Sequence, residues 1–334
     1  MTSTGVSASD SLPGPDGSKP EGDNASTGRL GDRIFGGTAT FAGLSVIAIV
    51  VLIGAFLVVQ ALPALTSNNA NFLTSRDWQT SDPMRFGVLE LLWTTVSTSL
   101  VALIIAVPFS VAIALFLTQY APAWLARPAA ALVDLLAAVP SIVYGLWGSI
   151  IVAPKIVPLQ NFLQDYLGWL PIFKPVAGIS NGATIFFVGI VLAIMILPII
   201  TALSREVFAQ TPAAHKDAAT ALGATKWEMI RTAVLPFGKP GVISAAMLGL
   251  GRALGETIAV LYIISTLPGG TAWTWSLFNG GSTFASKIAA DAAELTPGKS
   301  TGAYIAAGLV LFVLTFIVNA IARVIIERRK AFTE

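Results

Sequence analysis

Three ionisable residues lie inside long apolar runs: Asp134, Arg252 and Glu256. A charge at the centre of a membrane helix costs about 2.5–3.5 kcal/mol on insertion scales, so such residues usually face a cavity or a partner. Arg252 and Glu256 stand four apart in Leu250-Gly251-Arg252-Ala253-Leu254-Gly255-Glu256-Thr257, a spacing that puts them on one helical face within pairing reach. Gly251 and Gly255 add a small-xxx-small face, which permits close helix contact or access to the backbone. Two readings follow from the spacing. Either Arg252 meets an anion in a pathway while Glu256 moderates its grip, or the two form a buried ion pair that fixes helix packing. Asp134 sits near one end of its run, where a carboxylate either reaches the headgroups or borders the pathway.

Other chemistries find little support. The chain has no cysteine and one histidine, which leaves no thiolate ligand and no histidine cluster for a metal or an acid–base centre. His215 reads as a solvated loop residue. Gly298-Lys299-Ser300-Thr301 looks like the end of a phosphate-binding loop, but Ala293 stands where the motif needs its first glycine and no strand precedes it. No paired nucleophile and base is present, so a membrane enzyme is not expected.

The elements that must position these residues are helices. Of 334 residues, 54% are hydrophobic and 11% charged, against about 25% charged in soluble domains. Six apolar segments follow one another: Phe41–Leu62, Leu91–Leu117, Pro128–Ala153, Thr184–Leu203, Gly241–Leu267 and Tyr304–Ile326. Each can cross a hydrocarbon core of about 30 Å, and no alternating strand pattern competes. Pro108, Pro140 and Pro198 predict kinks rather than breaks. The expected class is an all-α integral membrane protein with six transmembrane helices. Residues 1–38, rich in Ser, Gly, Pro and Asp, are expected to be a disordered tail. Residues 39–90 hold the first span and a long loop, 91–326 the core domain, and 327–334 a basic tail.

Lysine and arginine orient the bundle. With the N-terminus inside, thirteen basic residues fall on the inner side and six on the outer, with Arg252 in a span. The positive-inside rule then puts both termini in the cytoplasm, in contact with membrane lipid and with no nucleic-acid partner expected. Three long loops, 63–90, 154–183 and 268–303, face outward. The middle one contains Leu159–Leu170, read either as an amphipathic interfacial helix or as an ordinary capping loop.

Between the fourth and fifth spans lies a polar island, Glu206–Pro236, with five basic residues in or beside it. Thr211 is a natural cap, Pro212 a favoured first helical residue and Gly223 a stop, so Pro212–Leu222 predicts a short surface helix. Such a helix can lie in a groove of another protein, and a plain cytosolic linker would satisfy the composition equally well. The helix–Gly–helix layout, ending in Leu235-Pro236 at the membrane, favours docking.

Asp217-Ala218-Ala219, Gly223 and Leu235-Pro236 match the spacing of the EAA motif of ABC importer permeases, EAA-x3-G-x9-I-x-L-P. Asp217 replaces the glutamate and keeps the charge; Ala233 stands where isoleucine is usual. The chain thus resembles type I (MetI-like) ABC importer permeases over roughly Leu91 to Ile326. The run Leu248–Val260 further resembles the PstC-type permeases of phosphate-specific importers. The resemblance implies that the island docks on a separate ATPase, which carries ATP and Mg, and that this chain has no cofactor or ATPase site of its own. It also implies a homologous PstA-type permease as partner, two ATPase subunits and an external phosphate-binding protein. Arg252 and Glu256, with Gly251 and Gly255 beside them, are the residues it implicates in phosphate movement. Sulfate and molybdate permeases share the coupling motif, and an ion-coupled secondary transporter using Glu256 or Asp134 is the alternative from another class.

Overall fold

In the computed structural model, residues 27–176, 181–267, 273–295 and 298–330 are described. Residues 54–334 form one compact unit, and the helix up to Ile53 belongs to a separate one. In that first stretch Phe41, Leu44, Ile47, Val51 and Leu52 are all exposed, the pattern of a helix solvated by lipid rather than by protein. The first helix, α1, runs Thr27–Ser67. Residues 27–38, expected to be disordered, are therefore helical, and 1–26 lie outside the described residues. Among the described residues, six helices are long and apolar enough to cross a membrane, as expected.

The central helix is α6, Ile185–Ala209, two-thirds of whose apolar window is buried (67%), against none for α1. Lipid is as apolar as leucine, so helices associate in it through close van der Waals contact and small interfacial residues rather than by escaping water. The chain follows that rule. α2, Leu89–Leu115, packs along α6 where Gly189 leaves room for Val101, whose side chain would lie 2.5 Å from an added Cβ. Ser110 Oγ donates across the same interface to the Leu197 carbonyl at 3.0 Å. On the other side α9, Leu235–Leu254, approaches α6 through Gly249 against Ile200. Ala102, Ala106, Ala245 and the α6 residues Phe187, Val191, Leu192 and Ile196 form the shared core. Pro108 and Pro198 sit inside unbroken helices, as expected.

Two spans differ from the expectation. The third is expected over Pro128–Ala153, but α3 covers Ala123–Ala137 and stops before Pro140, which opens α4, Ser141–Trp147. Proline disfavours helix at the residue before it and cannot donate an amide, and here the two effects break the helix outright. The apolar crossing element is instead Ser141–Leu167: α4, a π-helical turn Gly148–Val152, and α5, Ala153–Leu167. Helix covers most of Leu159–Leu170 as a continuation of this span, with Phe162 and Tyr166 exposed along it and Trp169 exposed in the turn just beyond. The fifth span, expected through Leu267, ends at Leu254 and resumes as α10, Ile258–Ile263.

The bundle has two ends. At one, α7 (Ala213–Ala221) and α8 (Lys226–Met229) join α6 to α9, and the Lys226 ammonium lies 4.8 Å from the Tyr120 ring centre just beyond α2. At the other, a short hairpin of β1 (Trp78–Gln79) and β2 (Arg85–Phe86) is tied down by Asn68, whose amide nitrogen donates to the Phe86 carbonyl at 2.7 Å. The segment after α10 is stitched to the start of α6 by Phe186 N–H to Leu277 O and Ile185 N–H to Asn279 O. α11, Phe284–Ala290, and α12, Lys299–Lys330, complete that end, with Gly302 of α12 against Ala64 of α1.

Candidate translocation site and coupling loop

Arg252 lies in the last turn of α9, about 26 Å along the helix from Leu235 at 1.5 Å per residue. The helix C-terminus is the favoured place for a cation. The chain leaves the helix at Gly255, and Glu256 accepts a hydrogen bond from the Ala259 amide at 3.2 Å, capping α10. Four residues of spacing therefore do not place the two charges on one helical face, and no ion pair joins them. The expected Arg252–Glu256 pair is corrected: the helix ends between them, and the carboxylate is taken up by an orphan amide of the next helix. The guanidinium is exposed.

The surroundings of Arg252 are open. A Cβ on Gly251 would meet nothing within 4 Å, and one on Gly255 only the Gly251 carbonyl at 3.8 Å. The small-xxx-small pair is thus not a packing seam within this chain; Gly249 has that role. Facing the break is the other interrupted span. Tyr144 of α4 lies in the electrostatic field of Arg252 and donates its hydroxyl to the Leu136 carbonyl at the end of α3, at 3.1 Å. Gly145 packs on the backbone of Ala259, so α4 and α10 are held in contact. Broken helices at membrane depth are tolerated only where protein or a water-filled cavity receives their free backbone groups. Two of them meet beside Arg252. Tyr144 was not singled out from the sequence; its distance of four residues from Pro140 is the only signal for it.

Asp134 has a different setting. Its carboxylate pairs with the Arg205 guanidinium at 3.3 Å, tying α3 to α6 near the α7 end of the bundle.

The island folds largely as expected. α7 has no buried residue; Asp217 and Ala218 are exposed, while Ala219 leans on the cluster of Phe208, Met229, Ile230 and Val234. Gly223 adopts φ +83°, a left-handed conformation that a side chain would strain. It closes α7 with paired C-terminal bonds, Ala224 N–H to Ala219 O and Gly223 N–H to Thr220 O. Thr225 and Glu228 then form a capping box that starts α8. Thr211 is not the cap of α7: Pro212 holds that position without a side-chain bond, and the Thr211 hydroxyl is buried without a partner. Leu222 is 90% exposed and Trp227 56%, two large apolar side chains presented beside Gly223. Leu235 and Pro236 border a groove of about 510 Å³ with Arg231 and Lys239.

Among the described residues, membrane-length apolar helices with two interrupted spans beside Arg252, and a capped helix–Gly–helix loop, are the features of a membrane transport subunit. Residues 106–331 match the family described as binding-protein-dependent transport system inner membrane component. The phosphate transport system permease protein PstC 2 of Mycobacterium tuberculosis is 55% identical over 302 residues, covering 89% of this chain and 92% of that protein. PstC of Pasteurella multocida is 39% identical over 313 residues, covering 91% and 95%. The chain belongs to the binding-protein-dependent ABC permease family, and within it to the PstC-type permeases. Its fold is shared with a chain from a bacterial ABC transporter involved in the import of the acidic polysaccharide alginate. That likeness has a TM-score of 0.52 at 14% identity and covers 72% of this chain and 79% of that one.

Proposed function

We propose that this chain is the membrane permease subunit of an ATP-driven phosphate importer and forms half of its translocation pathway. The observation that carries the reading is Arg252: a cation exposed at the junction of two interrupted spans, with no carboxylate within 4 Å among the described residues, and with Gly251 and Gly255 leaving space beside it. Such a site can give a tetrahedral anion a transient positive contact through guanidinium hydrogen bonds. A tight site would hinder release, and Glu256 nearby keeps the local field from becoming strongly attractive.

The second half of the pathway would come from a homologous PstA-type permease. Energy would enter at Asp217, Ala218, Ala219 and Gly223, docked on one of two ATPase subunits that carry ATP and Mg; this chain would have no ATPase site. Leu222 and Trp227 suit that docking, because exposed large apolar side chains beside a rigid turn are typical anchors. Leu235 and Pro236 would relay movement into α9, which leads to Arg252. An external phosphate-binding protein would deliver the anion at the hairpin end, with the termini and α7 in the cytoplasm of a multi-pass inner-membrane protein.

The test is phosphate uptake by cells carrying this chain with its partner subunits, with Arg252→Gln as the variant. Uptake that depends on ATP and falls at least tenfold in the variant supports the reading. Uptake by this chain alone, driven by an ion gradient, would sink it in favour of a secondary transporter. Equal uptake of sulfate or molybdate would reassign the substrate.

A further inference from the structure

At the hairpin end, four separate stretches of chain converge on a cavity of about 170 Å³ lined by Arg76, Glu90, Thr266, Ser282 and Lys287, with Trp78 as its wall. Arg76 precedes β1, Glu90 sits in the first turn of α2, Thr266 follows α10 and Lys287 belongs to α11. At about 30 Å³ per water, the space equals roughly five or six water molecules, enough for a small tetrahedral anion.

Burial disfavours the charge on the Glu90 carboxylate, and both cations, Arg76 and Lys287, act against that effect. Yet neither comes within 4 Å of it, since Lys287 pairs instead with Asp291 at 2.9 Å and Arg76 has no carboxylate partner among the described residues. A structural clamp would bring nitrogen and oxygen together; here the opposite charges line the cavity without pairing across it. The Arg76 guanidinium is steadied over the Trp273 ring at 5.3 Å, and the Lys287 ammonium lies 5.9 Å from the centre of the Trp78 ring. Asp291 is further held by the Tyr304 hydroxyl at 2.8 Å. Gly281 completes the arrangement. A Cβ there would sit 2.7 Å from Thr94 Oγ1 and 3.3 Å from Glu90 Oε1, so only glycine leaves the carboxylate its place.

We propose that this cavity is a second anion site, selective for a protonated tetrahedral oxyanion. Arg76, Lys287 and the hydroxyls of Thr266 and Ser282 supply donors, whereas Glu90, in the ionised form that the two cations favour, can only accept. An oxyanion that keeps a proton at neutral pH, as inorganic phosphate does, can donate its P–OH to Glu90. Sulfate carries no such proton and would leave two acceptors facing each other. The cavity adjoins the far end of α10, whose six residues span about 9 Å and begin beside Glu256. It is thus an antechamber to Arg252. The proposal rests on the preceding reading only in taking the cargo to be an oxyanion.

The test uses the assembled transporter in lipid nanodiscs, titrated with inorganic phosphate and separately with sulfate while intrinsic tryptophan fluorescence is followed. Trp78 and Trp273 report on the cavity. Phosphate should change the fluorescence and sulfate should not. Arg76→Gln should weaken the phosphate response about tenfold or more, the loss expected for a charge-assisted hydrogen bond. Glu90→Gln, whose amide can donate, should let sulfate compete, a gain that misfolding cannot imitate. Arg252→Gln should keep the response while phosphate uptake falls at least tenfold. Equal responses to both anions in the unaltered complex, or an unchanged phosphate response in both Arg76→Gln and Glu90→Gln, would overturn the proposal. Uptake without any response at the cavity defeats this proposal alone; a response without uptake defeats the preceding reading and leaves this one standing.

Discussion

Arg252 and Glu256 are four residues apart but belong to different helices, because α9 ends at Leu254 and the Glu256 carboxylate caps α10 at the Ala259 amide, 3.2 Å away. The separation gives each residue its own setting. Arg252 is exposed at the end of α9, where the proposed function has it meet the anion, and Glu256 accepts from the first turn of the helix that packs on α4.

Glu256→Gln keeps an oxygen acceptor for the Ala259 amide, whereas Glu256→Ala leaves that amide without one. The alanine variant should lose about 1 kcal/mol of stability, as other cap removals do, and the glutamine variant should lose much less. Thermal unfolding of the detergent-solubilised complex checks this. Equal losses would mean that the carboxylate's charge, not its capping bond, holds the loop.

Gly223 should tolerate no β-branched side chain. At φ +83° a residue other than glycine costs roughly 1–2 kcal/mol, and Asn adopts that region more readily than Val. Nothing lies within 4 Å of an added Cβ, so the cost is backbone strain and not a clash. Gly223→Val should leave assembly of the membrane subunits intact but lower transport-coupled ATP hydrolysis, with Gly223→Asn in between. Normal coupling in the valine variant would remove this turn from the docking surface.

Asp134 should prove structural. Its partner Arg205 is 27% exposed and Asp134 itself 50%, so the pair contributes no more than about 1 kcal/mol. Asp134→Asn should slightly lower thermal stability and leave uptake within twofold of normal, and exchanging the two charges should restore stability. A loss of uptake that the exchange does not repair would point to an ion-coupling role instead.

Gly189→Leu should abolish assembly. Even the first carbon of that side chain would lie 2.5 Å from Val101, and overpacking a tight helix interface typically costs 1–3 kcal/mol per modest insertion, more for a large one. The yield of complex on gel filtration is the readout, with normal yield as the contrary result.

Much of this architecture is legible in the residues. The six spans follow from apolar length, and the α7–Gly223–α8 loop from helix-stop chemistry that acts within a few residues. The interruptions are harder. Pro140 signals a kink and a break with the same letter, and only the packing of α4 on α10 decides for a break. Gly255 inside an apolar run reads as a small packing residue, although it is where the helix stops. Thr211 shows the opposite error, a residue of capping type placed one position too early to cap. The cavity of Arg76, Glu90 and Lys287 joins stretches some two hundred residues apart, which no local pattern reveals.

The most direct measurement of the central claim is ATP-dependent phosphate transport by the complete transporter in proteoliposomes, comparing the unaltered chain with Arg252→Gln. Removing one charge-assisted contact at the pathway arginine should cut transport by ten- to a hundredfold, about 1.5–3 kcal/mol, while the complex assembles with normal yield. Transport at the unaltered rate in Arg252→Gln would contradict the account, because the anion would then be passing without the cation that the account places in its path.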